Sequence, residues 1–186
     1  MFTFTDAVAI ACKAHKGQKD KGGHDYIKHP LHLAYKCKNK GLSNETQITA
    51  VLHDVVEDSN FTFDDLINFG ISESVLHALK LLTHVRDEEF IERVSKIKIK
   101  EGWNESIAKS YAREQEYYRY ISLIATNEIA KAVKLEDLTH NSDITRIPPD
   151  MFQNDKKLSN RLKKYAFARQ ILIGGFWPER GEFDGN

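Results

Sequence analysis

The stretch ITAVLHDVVEDSN, residues 48–60, decides the fold. Successive residues of an α-helix are turned by about 100°, so the apolar side chains of Ile48, Leu52 and Val55 fall on one face. The polar residues of the opposite face are His53, Asp54, Glu57 and Asp58. His53 and Glu57 are four residues apart, as are Asp54 and Asp58, so each pair spans about one helical turn. The pattern predicts an amphipathic helix over about residues 45–58.

Two interpretations of this polar face remain open. A solvated acidic face on a core helix is the more common origin of such a pattern. Its neighbouring carboxylates repel one another, however, and a divalent cation would turn that repulsion into attraction. Two distant segments offer further ligands: His29 precedes Pro30, and Asp137 lies within VKLEDLTHNSD, residues 133–143. Imidazole and carboxylate ligands together suit zinc, manganese or iron.

The rest of the chain is also expected to be helical. The 186 residues contain only four prolines and ten glycines, and the segments between them carry a helical period. We therefore predict one all-α domain of about eight helices over residues 1–186, with a loosely held tail at 174–186. The predicted helices cover about 5–16, 30–40, 45–58, 62–70, 72–82, 87–126 with a break at Gly102, 127–142 and 154–173.

Composition limits the classes of partner. Lysine and arginine total 27, as do aspartate and glutamate, so the net charge is zero. A neutral chain lacks the field that draws proteins to nucleic acid or to anionic membranes, and we expect neither partner. No apolar run approaches the roughly 18 residues that a transmembrane helix needs, and the first residues lack the features of a signal peptide. With only Cys12 and Cys37 as cysteines, a disulfide framework is not expected, and we predict a cytoplasmic protein.

Four segments together resemble the hydrolase domain of the stringent-response alarmone enzymes, above all the free-standing small alarmone hydrolases. The resemblance implies an all-α fold of the HD type, a bound manganese ion and hydrolytic removal of the 3′-pyrophosphate of ppGpp or pppGpp. The matching segments are AHKGQKDKGGHDYIKHP (14–30), AVLHDVVEDSNFTFDDL (50–66), LLTH (81–84) and VKLEDLTHNSD (133–143).

The resemblance also implies a role for individual residues. Glu57 and Asp58 orient or activate the attacking water, Asn141 contacts the nucleotide, and Lys21 faces the phosphates. The metal ligands that it implies are His29, His53, Asp54 and Asp137.

The chain departs at two places from the alarmone hydrolases that it resembles. Many of these hydrolases carry, at the position of Asp20, an arginine that stacks on guanine, and a carboxylate cannot stack as a guanidinium does. We therefore expect either a weakened preference for guanine, with Asp20 accepting a hydrogen bond from a base amine, or an Asp20 that points to solvent beside Lys19 and Lys21. Residues 85–116 form an additional charged helical stretch. This stretch is expected to be a surface elaboration, or else a lid or a dimer contact over the site.

Two further functions compete with alarmone hydrolysis. The first is a phosphatase of the HD type that acts on another nucleotide, such as the adenine alarmone (p)ppApp or NADPH. The second is a non-catalytic nucleotide sensor on the same scaffold. A sensor does not need the water-activating pair Glu57 and Asp58, so the presence of both acids favours an enzyme. The sequence leaves the oligomeric state open.

Overall fold

The protein is helical throughout the part of the chain that its structure, a computed structural model, describes: residues 2–20, 22–146 and 156–174. These ranges contain no strand, only an isolated β-bridge between Lys19 and Asp25. No helix within them is long and apolar enough to cross a membrane. The prediction of an all-α fold is confirmed. The helices are α1 (Phe4–Ala14), α2 (Lys28–Asn39), α3 (Asn44–Leu52), α4 (Val55–Asp58), α5 (Phe63–Asn68), α6 (Glu73–Leu82), α7 (Glu88–Lys100), α8 (Glu105–Ile124), α9 (Glu128–Asn141), a short 3₁₀ turn (Ile144–Arg146) and α10 (Lys156–Gly174).

Side-chain caps and glycines set the helix ends. Thr62 and Asp65 form both hydrogen bonds of a capping box at the start of α5. At the start of α3, the Ser43 hydroxyl accepts a hydrogen bond from the backbone N–H of Thr46. Gly102, with a φ of 93°, separates α7 from α8, because this left-handed conformation is strained for residues with a Cβ atom. Most predicted ends therefore lie within a few residues of the observed ones. The predicted stops at Pro148 and Pro149 and the tail beyond residue 174 lie outside the described residues.

Helix α3 lies at the centre of the molecule. It packs against α1, α2, α6 and α9, and its side chains Ile48, Val51 and Leu52 are buried in the core. Helices α2 and α9 also pack against each other. Because α2 begins beside His29 and α9 carries Asp137, this packing brings the N-terminal turn of α2 and the middle of α9 to the carboxyl end of α3.

The predicted helix over residues 45–58 is two helices, and this prediction was wrong in that respect. Helix α3 ends at Leu52 and α4 begins at Val55. The His53 ring donates a hydrogen bond from Nδ1 to the carbonyl of Ala50, 2.9 Å away, and so competes for an acceptor of the helical ladder. Asp54 has φ −100° and ψ −2°, which departs from helical geometry. The break places His53 and Asp54 at a junction between two helices.

The additional stretch at residues 85–116 contributes to the core. Helices α7 and α8 pack against each other, and the side chains of Phe90, Ile91 and Val94 on α7 are buried in the same hydrophobic cluster as those of α3. A role of this stretch as a lid or a dimer contact stays a prediction.

Candidate metal centre

Three parts of the fold bring four predicted metal ligands together. His29 lies in the first turn of α2, His53 and Asp54 lie at the junction of α3 and α4, and Asp137 lies on α9. His53 Nε2 is 2.9 Å from Asp54 Oδ2, and His29 Nε2 is 3.8 Å from the same oxygen. His29 Nε2 is also 3.4 Å from Asp137 Oδ1. All four side chains therefore converge on one small volume.

This donor set fits a divalent metal ion. One ligand atom each of His29, His53 and Asp137 lies within 4.8 Å of the others, and ligands about 2.1 Å from a common ion are separated by about 3–4 Å. His53 Nε2 is buried and makes no hydrogen bond of good geometry within the described residues, although Asp54 Oδ2 lies 2.9 Å away. A buried nitrogen without a partner costs stability unless it serves as a ligand. The unpaired nitrogen and the two carboxylates beside it are what a metal site requires.

Charge pairing keeps both carboxylates of the centre ionised. Burial alone would raise the pKa of Asp137, but the Lys134 ammonium, whose Nζ lies 2.8 Å from Oδ2, holds it far below its usual range. Burial likewise opposes ionisation of Asp54, yet the neighbouring His53 lowers the pKa of this acid to about 2. In return, the Asp54 carboxylate overcomes the burial of His53 and raises the pKa of its imidazole to about 9. In the absence of a metal, the Asp54 carboxylate therefore favours the protonated form of His53, and metal binding would have to displace that proton.

His140 fixes the ring of the ligand His29. The two Nδ1 atoms are 2.6 Å apart, and the rings stack with their centroids 4.9 Å apart. Burial and the nearby His29 and Arg146 lower the pKa of His140 to about 3, so its neutral ring accepts the proton of His29 Nδ1. The Nε2 lone pair of His29 then faces the centre, which is the usual arrangement for a metal-bound histidine.

Two more residues around the ligands were not predicted from the sequence as parts of the site. The Tyr26 hydroxyl donates a hydrogen bond to Asp54 Oδ2 at 2.5 Å, and Lys134 pairs with Asp137. Each stands three residues before a ligand, Tyr26 before His29 and Lys134 before Asp137, and this spacing was the available signal. Asn141, which was predicted to contact the nucleotide, donates to Asp137 Oδ1 at 2.5 Å.

The two predicted catalytic acids lie on α4, directly after the ligands. The Asp58 backbone N–H donates to the Asp54 carbonyl at 2.9 Å, so the chain still makes one helical turn between them. Burial and the charge of Asp54 raise the pKa of Asp58, which makes its carboxylate a stronger proton acceptor than usual. Glu57 accepts a hydrogen bond at Oε2 from the backbone N–H of His84, 3.3 Å away. Their roles in catalysis stay predictions.

A pocket of about 340 Å³ adjoins the metal centre, and His29 belongs to both. It is large enough for part of a nucleotide and presents cationic, amide and aromatic groups together with the carboxylates of Asp20 and Asp143. Arg161 and Tyr165 reach it from α10. The residues that line it are Lys19, Asp20, Gly22, Tyr26, His29, His140, Asn141, Asp143, Arg146, Arg161 and Tyr165.

Asp20 lines this pocket and also holds its loop. Its Oδ1 accepts hydrogen bonds from the backbone N–H groups of Gly22 and His24, both at 2.9 Å. Its Oδ2 accepts a hydrogen bond from the Arg146 guanidinium at 3.0 Å. A role of Asp20 in selecting the base stays a prediction. Lys21 lies outside the described residues, so its predicted contact with phosphate also stays a prediction.

The helical fold and the centre built around the consecutive His53 and Asp54 define a class of all-helical proteins with a divalent metal site. The chain belongs to the HD domain family, whose characteristic sequence pattern matches residues 7–143.

Several characterised relatives are similar to this chain. The bifunctional (p)ppGpp synthase/hydrolase SpoT of Escherichia coli is 29% identical over 136 residues, which are 73% of this chain and 17% of that protein. The guanosine-3′,5′-bis(diphosphate) 3′-pyrophosphohydrolase of Aquifex aeolicus is 33% identical over 138 residues, 73% of this chain and 16% of that protein. The chain thus spans about a sixth of the length of these relatives. The resemblance to alarmone hydrolase domains is confirmed.

The fold is also found in a solved structure, described as a metazoan ortholog of SpoT that hydrolyzes ppGpp. The two structures align with a TM-score of 0.58 over 92% of this chain and 93% of the other, at 19% sequence identity. At this identity the likeness establishes a shared fold.

Proposed function

We propose that the protein is a manganese-dependent pyrophosphohydrolase that removes the 3′-pyrophosphate of an alarmone such as (p)ppGpp. The observation that carries this proposal is the convergence of four candidate metal ligands next to a pocket that His29 also lines and to which Lys19, Arg146 and Arg161 contribute positive charge. The relatives named as (p)ppGpp 3′-pyrophosphohydrolases support the choice of substrate.

The side chains of the site suit hydrolysis by water. His29, His53, Asp54 and Asp137 would hold a divalent ion, which would lower the pKa of water and screen phosphoryl charge. Glu57 accepts the proton of the attacking water as its oxygen bonds to phosphorus, and Asp58 holds that water in line. The bond from phosphorus to the 3′ oxygen breaks, pyrophosphate is released, and the 3′ oxygen leaves as the alcohol after taking up a proton from solvent, to which Glu57 returns the proton that it accepted.

The pocket suits a phosphorylated substrate. Lys19, Arg146 and Arg161 supply positive charge along its wall, and a guanidinium matches the geometry of phosphate oxygens. Tyr165 offers an aromatic ring near the same wall, on which a base can stack. Because the chain as a whole is neutral, capture of an anionic nucleotide depends on these local charges.

The decisive experiment incubates the metal-loaded protein with ppGpp, pppGpp, ppApp and NADPH and identifies the products by chromatography and mass spectrometry. We expect ppGpp to yield GDP and pyrophosphate, and Asp54→Ala to abolish both the reaction and the bound metal. Release of orthophosphate from NADPH without alarmone turnover would instead assign the phosphatase function. Tight binding of a nucleotide without any turnover would assign the sensor function.

Manganese is tested separately from the reaction. The purified protein is stripped with a chelator, reloaded with manganese, zinc, iron or magnesium, and analysed for metal content and for turnover. We expect one ion per chain and the highest turnover with manganese, since the mixed imidazole and carboxylate set suits this metal. Higher turnover with another metal would change the cofactor and leave the proposed reaction intact.

A further inference from the structure

A buried acid on α8 contacts the segment that follows α6. Glu116 is 5% exposed, and its Oε1 lies 2.9 Å from His84 Nε2. The same oxygen accepts the backbone N–H of Asp87 at 3.3 Å. A buried carboxylate is costly unless it is paired or hydrogen-bonded, and here the His84 ring supplies the side-chain partner. The pair joins α8 to the chain between α6 and α7.

Other contacts hold the His84 ring and its backbone in place. The ring stacks on Tyr120 with the centroids 4.2 Å apart and the planes inclined by 25°. The Tyr120 hydroxyl donates a hydrogen bond to the carbonyl of Leu82, which lies two residues before His84 in the chain. Glu116 and Tyr120 lie one turn apart on α8, so this helix fixes the segment 82–84 from two points.

The backbone of this fixed segment contacts Glu57. The N–H of His84 donates to Glu57 Oε2 at 3.3 Å, which restrains one carboxylate oxygen of the residue that accepts the proton in the proposed reaction. A general base is effective only when its carboxylate is held in the productive direction, because small displacements lower the rate steeply.

We propose that His84 and Glu116 form a positioning pair for Glu57. Glu116 fixes the His84 ring, the ring fixes the backbone of residue 84, and the N–H of that backbone orients the Glu57 carboxylate. The inference rests on the proposed function, in which Glu57 accepts the proton of water. It also gives α8 a task at the site that does not require a moving lid.

The test combines kinetics with a double-mutant cycle. His84→Ala should lower kcat about tenfold, with KM within twofold of the parent and metal content unchanged. His84→Gln, whose amide can still donate to Glu116, should restore most of the loss. In a Glu57→Gln background, His84→Ala should cause no further loss, because it acts through Glu57. His77→Ala, an exposed histidine on α6, is the matched control and should match the parent.

Hydrogen exchange supplies a readout that is independent of turnover. The backbone N–H of residue 84 should exchange faster in His84→Ala and in Glu116→Gln, while the amides of α3 and α9 keep the protection of the parent. If His84→Ala does not fold, Glu116→Gln carries the same cycle, with a smaller loss expected.

The outcomes separate this inference from the function beneath it. An equal loss from His84→Ala in the parent and in the Glu57→Gln background would overturn the positioning role and leave the hydrolase function standing. Unchanged kcat and unchanged exchange in both variants would do the same. A parent protein that turns over none of the nucleotides would overturn the proposed function, and the positioning role with it.

Discussion

Glu57 follows the junction of α3 and α4, and its Oε2 accepts a hydrogen bond from the backbone N–H of His84. We predict that Glu57 is the general base and not a metal ligand. Glu57→Gln keeps the size of the side chain and removes its ability to take a proton. We expect kcat to fall by about 10²–10⁴, the usual contribution of general-base catalysis, with the bound metal retained. Steady-state kinetics and elemental analysis measure the two effects. Glu73→Gln, at an exposed position in the first turn of α6, is the control. A Glu57→Gln variant with the parental rate would move the role to Asp58.

The raised pKa of His53 leads to a prediction of how metal binding depends on pH. Burial lowers the pKa of its imidazole, but the Asp54 carboxylate more than offsets this and raises it to about 9, whereas an unfolded histidine titrates near 6.5. The raised pKa stabilises the metal-free protein fully below about pH 6.5, and that contribution is lost as the pH rises through about 9. A ligand must be unprotonated, so metal affinity should rise about tenfold per pH unit below that value and level off above it.

Calorimetry measures this proton directly. At about pH 7.5, metal titrated into the metal-free protein should release about one proton, seen as a dependence of the binding heat on the ionisation enthalpy of the buffer. His77→Ala should give the same proton count as the parent. Metal binding without proton release at this pH would show that His53 is already neutral, and therefore that the Asp54 carboxylate does not raise its pKa above about 7.5.

For the individual residues of the metal centre, the sequence indicated residue types and their spacing but not their contacts. The four predicted ligands come together because α2, α3 and α9 pack on one another. Spacing along the chain is a signal that Tyr26 and His140 lie near the ligands, but the atoms that each of them contacts depend on distances across the fold. His140 reaches His29 over 111 positions of the chain, and Tyr26 reaches Asp54 over 28.

Among the helices, the ends were predictable and the break at His53 was not. Caps such as Thr62 with Asp65 and a positive φ at Gly102 are local, and local sequence specifies them. Nothing between Ile48 and Asp58 is a helix-breaking residue, so periodicity alone favours one continuous helix. The bond from the His53 ring to the Ala50 carbonyl interrupts it. A ring directed at a metal centre overrides local propensity here.

Helix α7 is predicted to be an integral part of the core. Phe90 is 2% exposed and belongs to the same hydrophobic cluster as α3, so Phe90→Ala should lower the free energy of unfolding by about 3–5 kcal/mol. Urea unfolding followed by circular dichroism should show a single transition at a lower midpoint. Ile107→Ala, at a position on α8 that is 58% exposed, should change the free energy by less than about 0.5 kcal/mol. A Phe90→Ala variant with parental stability would mean that α7 is only loosely attached.

Across the whole molecule, the pocket is built from parts of the chain that are far apart. The loop around Asp20 meets Arg146, 126 residues later, and α10 adds Arg161 and Tyr165. A pairing over that distance leaves no periodic trace in the sequence, so Arg146 could not be assigned to the site from the sequence alone. It nevertheless changes what Asp20 can do, because the carboxylate that was expected to meet a base is partly occupied by a guanidinium.

The pair of Asp20 and Arg146 changes how the predicted role of Asp20 in base selection is tested. A weakened preference for guanine was expected from Asp20 alone, and the structure adds Arg146 as a cation beside it.

Asp20→Arg would place a second guanidinium there and free Arg146 from its partner. If a stacked guanidinium is what favours guanine, the ratio of kcat/KM for ppGpp over ppApp should rise about tenfold in Asp20→Arg, which corresponds to a difference of about 1.4 kcal/mol between the two bases. Asp20→Asn, whose amide oxygen can still accept the Gly22 and His24 amides, separates loss of the acid from gain of the cation and should leave the ratio nearer to that of the parent. A parent that already prefers guanine strongly, with neither substitution moving the ratio, would show that Asp20 only holds its loop and Arg146 in place.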